Sequence, residues 1–129
     1  MLYLSVEEVI EINQEILGVA AVRDIGLLES AVMRPQASAF GEDAYPTLID
    51  KASAFMHSLI LNHAFVAGNK RTATIALIDF LEINGLRVVW QPAEALEFII
   101  AIAERQHEVA DIARWLEAHT QSLSDRDPP

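Results

Sequence analysis

Apolar residues recur at helical spacing along almost the whole chain, and this periodicity constrains the fold more than any other feature of the sequence. From Val6 onward the apolar positions return every three or four residues, which places their side chains on one face of a helix. The same spacing resumes after each break. The sequence therefore predicts an all-α protein, a single compact bundle of about six helices.

Capping residues mark where these helices begin and end. Ser5 and Glu8 form the pattern of a capping box, and Gly18 suits the left-handed residue that ends a helix. Asp24 and Pro35 bound the next helix in a similar way. The predicted helices cover, approximately, residues 6–17, 26–34, 47–63, 69–84, 92–106 and 109–122.

Two stretches between the helices lack the helical pattern. Residues 36–46 are predicted as an ordered loop or a short helical turn. Residues 86–91 (LRVVWQ) are the one β-like run, and they fit either a short strand or an extended linker. We expect residues 1–123 to form one domain and residues 124–129 to be a disordered tail.

Composition excludes several classes of function. The chain has no cysteine, so disulfides, thiolate zinc sites and thiol catalysis are impossible. It carries 19 acidic and 9 basic residues, a formal net charge of −10, and such a body repels the backbone of nucleic acids. No targeting or membrane-spanning segment is predicted. We therefore expect a cytoplasmic protein with neither nucleic acid nor membrane as a partner.

The break between the two most apolar helices, residues 63–72 (HAFVAGNKRT), is the most informative segment for function. Lys70 and Arg71 lie in the first turn of a helix, where the helix dipole disfavours each cation by up to ~1 kcal/mol. Gly68 lets the backbone approach a ligand closely. These cations and the free amides of residues 68–71 together predict a phosphate-binding site.

A second interpretation of the same cations needs no ligand. Lys70 and Arg71 could point to solvent or pair with acidic residues such as Asp79 or Glu82. The electrostatic argument alone leaves both interpretations open.

His63 stands directly before the break. Facing a bound phosphate, its imidazole would act as general base for an attacking hydroxyl group. The alternative is a helix C-cap, where a protonated histidine interacts favourably with the dipole. Phe65 is predicted to be the buried anchor of the loop.

The same segment resembles the active-site loop of the Fic/Doc superfamily, His-Pro-Phe-x-Asp/Glu-Gly-Asn-Gly/Lys-Arg. Residues 63–71 here read HAFVAGNKR. Lys70, followed by Thr72 and Ala73, is similar to the Doc branch, the "death on curing" toxins of Phd/Doc-type toxin–antitoxin modules. Further Doc-like segments spread the resemblance over nearly the whole chain: residues 3–8, 22–31, 34–36, 45–47, 81–85 and 112–116.

The resemblance implies an activity, a substrate and a partner. The Doc branch is expected to phosphorylate a protein hydroxyl with the γ-phosphate of ATP, with elongation factor Tu as its target. A Phd-type antitoxin is expected to neutralise it by laying a helix into a groove, which we place around Leu27, Leu28 and Met33. By the same resemblance, His63 would be the general base. The expected phosphate-binding residues are Gly68, Asn69, Lys70 and Arg71.

Two residues depart from the family pattern. Ala64 replaces proline, which changes the stiffness of the loop. Ala67 replaces the carboxylate that would hold Mg²⁺, and a methyl group cannot ligate a metal, so we expect impaired catalysis. The alternative function is a catalytically inactive or AMP-transferring Fic-fold protein that binds nucleotide or an antitoxin.

Overall fold

The computed structural model describes residues 1–19 and 21–123, and α-helices make up most of this part of the chain. The all-α prediction is confirmed. The prediction of a disordered tail over residues 124–129 falls outside the described residues. The helices are α1 (Val6–Leu17), α2 (Ile25–Met33), α3 (Leu48–Leu61), α4 (Asn69–Ile83), α5 (Pro92–Ala103) and α6 (Val109–Ala118).

The predicted caps are present. The Ser5 hydroxyl accepts from the Glu8 amide while the Glu8 carboxylate accepts from the Ser5 amide, and Gly18 ends α1 in the left-handed conformation with φ 82°. The Asp24 side chain caps α2, and Thr47 caps α3. Local sequence signals thus account for where these three helices begin.

Pro35 does not act as a simple stop. Helix α2 ends at Met33, and residues Arg34–Gln36 continue as a turn of 3₁₀-helix with Pro35 inside it. The fixed φ of proline fits this turn, and the ring costs no hydrogen bond in its first residues.

The prediction of a loop or helical turn for residues 36–46 was wrong. The segment contains an antiparallel hairpin of β1 (Ser38–Ala39) and β2 (Glu42–Asp43). Phe40 and Gly41 form its two-residue turn, with φ of 55° and 80°. Positive φ at both central residues matches the twist of a hairpin. Strands of two residues are too short to show an alternating pattern.

The last predicted helix was too long. Helix α6 ends at Ala118, and residues Thr120–Ser122 form strand β4, which pairs antiparallel with β3 (Leu86–Val88). The β-like run is therefore a strand, and its partner comes from the end of the described chain.

Helix α3 lies at the centre of the bundle and contacts α2, α4, α5 and α6. Nine of its fourteen residues are buried. Phe55 of α3 meets Phe80 of α4 edge to face, with ring centroids 5.6 Å apart. The two helices that flank residues 62–68 are thus held firmly by the core, and both ends of this connection are fixed.

Leu28 is fully buried in this core. It therefore cannot line the groove that we predicted around Leu27, Leu28 and Met33, whereas Met33 is exposed. No helix among the described residues is long and apolar enough to cross a membrane.

Candidate functional site

The connection between α3 and α4 is tied to the chain that precedes α2. Residues 64–66 run antiparallel to residues 21–24. The carbonyl of Ala64 accepts from the amides of Arg23 (2.8 Å) and Asp24 (3.0 Å). Ala64 itself is buried. Backbone bonds therefore fix this half of the loop, which makes it a rigid support for the side chains that it presents.

His63 has a left-handed backbone, with φ 49°. Such a conformation costs a non-glycine residue on the order of 1–3 kcal/mol and persists only where its surroundings enforce it. The Arg23 side chain supplies part of that enforcement, because its Nε donates to the His63 carbonyl at 2.7 Å and its Nη2 to the Asn62 carbonyl at 3.3 Å.

The His63 imidazole is exposed and forms no hydrogen bond or ion pair with the described residues. The C-cap of α3 is Asn62 rather than His63. The helix-cap interpretation of this histidine therefore does not hold. The ring is therefore accessible to a ligand.

The Asn69 side chain is used inside the loop. Its Oδ1 accepts from the Phe65 amide at 3.1 Å, and its Nδ2 donates to the Phe65 carbonyl at 2.9 Å. Phe65 is buried, as expected for the anchor of the loop. The side chain of Asn69 thus holds the loop, and its backbone N–H remains available to a ligand.

The first turn of α4 presents free donors. Gly68 is the N-cap, with φ 75°, and no side chain caps the helix. The first amide to find a protein acceptor is that of Thr72, which donates to the Gly68 carbonyl at 2.8 Å. In the described part of the protein, the amides of residues 69–71 have no acceptor. They are the kind of donors that bind phosphate at a helix N-terminus.

Lys70 and Arg71 are both exposed. Their side chains form no ion pair and no hydrogen bond within residues 1–19 and 21–123. The alternative pairing with Asp79 or Glu82 is therefore absent. Two unpaired cations and three unpaired amides lie together on one turn, an arrangement that suits a multiply charged anion.

Asn13 of α1 is a residue of this site that the sequence analysis missed. It is fully buried, and its Nδ2 donates to the Ala67 carbonyl (3.0 Å) and to the Thr72 hydroxyl (3.1 Å). The sequence gives one indication of this role, because Asn13 is a polar residue at a position of α1 where the helical spacing places side chains in the core. Its partners lie more than fifty residues away, so no local pattern could reveal them.

A mostly apolar groove of about 300 Å³ opens beside Lys70 and Arg71. The two cations line it together with apolar side chains from α4, α5 and the segment before α5. An organic anion with an apolar part fits this combination. Besides the two cations, the lining residues are Thr74, Ile75, Trp90, Pro92, Ala95, Leu96 and Ile99.

The residue at position 67 does not provide a ligand for Mg²⁺. Ala67 has no ligating side chain, and its carbonyl is already engaged by Asn13. Within the described residues, no three histidine or acidic side chains come together as a metal-binding group. The loop thus has cations and free amides beside it but no carboxylate at position 67 to hold a metal.

The fold and the loop define the class of protein: an all-α domain whose candidate site is a clamped loop between its two most buried helices. A family model described as the Fic/DOC family matches residues 3–81, and the chain belongs to this family. It is also 44% identical over 117 residues to a protein named "Toxin Doc" from Mycolicibacterium smegmatis, covering 88% of this chain and 90% of that protein.

Proposed function

We propose that this protein is a Doc-like toxin, a protein kinase that transfers the γ-phosphate of ATP to a hydroxyl of a translation factor, elongation factor Tu. The observation that carries the proposal is that residues 63–71, from the clamped loop into the first turn of α4, carry an exposed imidazole, three amides and two cations that have no partner among the described residues. The relative named "Toxin Doc", similar over most of both chains, supports the assignment.

In the proposed reaction, the amides of residues 69–71 bind phosphate oxygens together with Lys70 and Arg71. His63 takes the proton of the acceptor hydroxyl while the hydroxyl oxygen forms a bond to the γ-phosphorus. The bond from that phosphorus to the β–γ bridging oxygen breaks, and ADP leaves with the electron pair. The site supplies positioning and positive charge, which are the main requirements of phosphoryl transfer.

We assign the apolar groove beside Lys70 to the nucleoside of ATP. Its wall includes Trp90 and Leu96, and its volume of about 300 Å³ is at the lower end of the range for ligand pockets. The base would lie against apolar side chains while the phosphates reach the helix end.

A Phd-type antitoxin is the proposed partner. The support is the name of the similar relative and the net charge of −10, which favours a basic amphipathic segment. Of the three residues predicted to line the groove, Met33 and Leu27 remain candidate contacts for the antitoxin, whereas Leu28 is buried and does not. Binding should weaken as salt concentration rises. A titration with the antitoxin at several salt concentrations measures this, and a flat response removes the electrostatic part of the proposal.

Ala67 gives the second candidate function its support. A loop that binds phosphates without a metal-holding carboxylate could bind nucleotide or antitoxin without turnover, or transfer AMP instead. We propose that the chain as it stands is an impaired kinase and that Ala67→Asp restores its rate.

The deciding experiment follows the label from ATP into elongation factor Tu, with the label placed on either the γ- or the α-phosphate. The native chain and Ala67→Asp are compared, each with His63→Ala as the control. We expect transfer of the γ-label, weak for the native chain and strong for Ala67→Asp, and none after His63→Ala. Transfer of the α-label would establish AMP transfer instead. No transfer by either chain, with ATP binding retained, would establish the binding module.

A further inference from the structure

We propose that Asn13 is a positioning residue that aims the Gly68 N–H out of the core and toward a bound phosphate. The inference deepens the phosphate site of the proposed function and rests on it. Its basis is the bond from Asn13 Nδ2 to the Ala67 carbonyl, 3.0 Å long, between a buried side chain of α1 and the loop.

The argument begins with the geometry of one peptide unit. The Ala67 carbonyl and the Gly68 N–H belong to the same trans peptide, so they lie in one plane and point in opposite directions. Asn13 holds the carbonyl on the α1 side. The Gly68 N–H must therefore point away from α1. It finds no acceptor among the residues that the structure describes.

Gly68 then adds a fourth free donor to those of residues 69–71. Consecutive N–H groups around a left-handed residue form a concave surface that binds anions. The left-handed φ of 75° at Gly68 places it in such a surface. Were the peptide before Gly68 to turn over, its carbonyl oxygen would face the anion and repel it.

Asn13 is well built to prevent that rotation. Its Nδ2 also donates to the Thr72 hydroxyl at 3.1 Å, so a single amide group holds both the residue before Gly68 and the first turn of α4. A Cβ on Gly68 would lie only 3.4 Å from this nitrogen. The loop, the helix and α1 are in close contact at this point.

The other atom of the Asn13 amide indicates that stability alone does not explain the residue. Its Oδ1 is buried and has no hydrogen-bond partner among the residues that the structure describes. An unsatisfied buried acceptor is unfavourable, and an apolar side chain of similar size would avoid it. Such local conflicts are expected where a residue serves a site rather than the core.

The test measures the direction of the Gly68 N–H without a ligand and then the binding of inorganic phosphate. Residual dipolar couplings give the first quantity, and titration followed by amide NMR shifts gives the second. The variants are Asn13→Ala, which removes the donor, and Asn13→Leu, which has a similar size and removes the donor without adding a charge beside the anion site. If Asn13→Ala fails to fold, Asn13→Leu decides.

Asn84→Ala is the matched control. The Asn84 Nδ2 also bonds two backbone carbonyls, those of Leu2 (2.8 Å) and Phe80 (2.9 Å), but at the opposite end of α4. Its loss destabilises the helix end without touching the loop. A merely structural role for Asn13 would make all three variants behave alike.

We expect the Gly68 coupling to change in the Asn13 variants while couplings in the middle of α4 stay as in the native chain. Phosphate should bind about tenfold more weakly, the loss expected for one charge-assisted hydrogen bond. Asn84→Ala should leave both measurements unchanged.

An unchanged Gly68 coupling in the Asn13 variants would overturn the inference, whatever happens to binding. A changed coupling with undiminished phosphate affinity would overturn it as well, while leaving the phosphate site of the proposed function in place. A native chain that binds no phosphate would overturn the phosphate site itself, and with it the role proposed for Asn13.

Discussion

Two pairs of cations in this protein have opposite surroundings: Lys51 with Arg34, and Lys70 with Arg71. All four residues lie in or next to a helical turn. Lys51 in α3 is only 4% exposed, and its Nζ donates to the Pro35 carbonyl at 3.1 Å and lies 3.5 Å from the Asp43 carboxylate. Lys70 in α4 is exposed and has no side-chain partner in the part of the chain that is described.

The arginines differ in the same way. Arg34 donates to the Tyr45 hydroxyl at 3.1 Å and to the Ser58 hydroxyl at 2.8 Å, and it meets His57 Nδ1 at 2.9 Å. Arg71 makes no such bond to any described residue. The first pair is satisfied by the protein, and the second is not.

The difference separates cations that stabilise the fold from cations that we propose to bind an external anion. Lys51 and Arg34 hold the hairpin and the 3₁₀ turn against α3, so their charges are used to stabilise the fold. Lys70 and Arg71 stand at a helix N-terminus, where the dipole opposes them and no acidic residue within the described ranges pairs with them. Free cations in an unfavourable position are expected where an external anion supplies the compensation.

The largest expected effect, on the rate of phosphate transfer, comes from placing a carboxylate at position 67 beside Lys70 and Arg71. Ala67→Asp should raise phosphate transfer by about 100-fold, since a metal held in register would limit misplacement of the phosphate by about 1 Å. Expressed without antitoxin, this variant should stop cell growth, and His63→Ala on the same background should restore it. Growth curves of the native chain and both variants provide the measurement. Equal toxicity of the native chain and Ala67→Asp would show that the carboxylate is dispensable.

The buried pair should matter for stability instead. Lys51→Met leaves the Pro35 carbonyl unsatisfied and should lower the free energy of unfolding by about 1–3 kcal/mol. Lys70→Met should not lower it and should raise it by up to about 1 kcal/mol, because the substitution removes a cation from a helix N-terminus where the dipole disfavours it. Thermal unfolding of the two variants makes the comparison directly. Equal losses would mean that Lys70 has a structural partner after all.

Sequence reasoning could find the free pair but could not recognise the buried one. The loop residues are consecutive, and the caps that frame them act within three or four residues, so local patterns reveal both. Lys51 looks like an ordinary lysine in an early helical turn, because its partners lie outside α3: the Pro35 carbonyl in the 3₁₀ turn and the Asp43 carboxylate in the short hairpin. The role of Asn13 could not be recognised for the same reason, since its hydrogen bonds join distant parts of the chain.

The smallest expected effect tests whether the acids of α4 leave the cations unpaired. Burial raises the pKa of Asp79 above its usual value of 3.8, and the neighbouring carboxylates of Glu82, Glu8 and Glu15 raise it further. A raised carboxyl pKa contributes stability below the unfolded value, and this is lost as pH rises through the folded value. Asp79→Asn should therefore be more stable than the native chain at pH 7.

Denaturant unfolding across pH 3–8 measures this difference. The advantage of Asp79→Asn should shrink as pH falls and disappear below about pH 3.8, where the native carboxyl is protonated in both states. If Asp79 were paired with Lys70 or Arg71, the sign would reverse, and the substitution would destabilise the protein at neutral pH.

Calorimetric titration with inorganic phosphate and with ATP tests the free pair itself. It compares the native chain with a variant carrying Lys70→Gln and Arg71→Gln, and with Lys51→Met at a temperature where that variant is folded. We expect the native chain and Lys51→Met to bind both ligands, and the double variant to bind them at least about tenfold more weakly while unfolding at no lower temperature than the native chain without ligand. Binding that is absent in the native chain, or equal in the native chain and the double variant, would contradict a phosphate site at the N-terminus of α4.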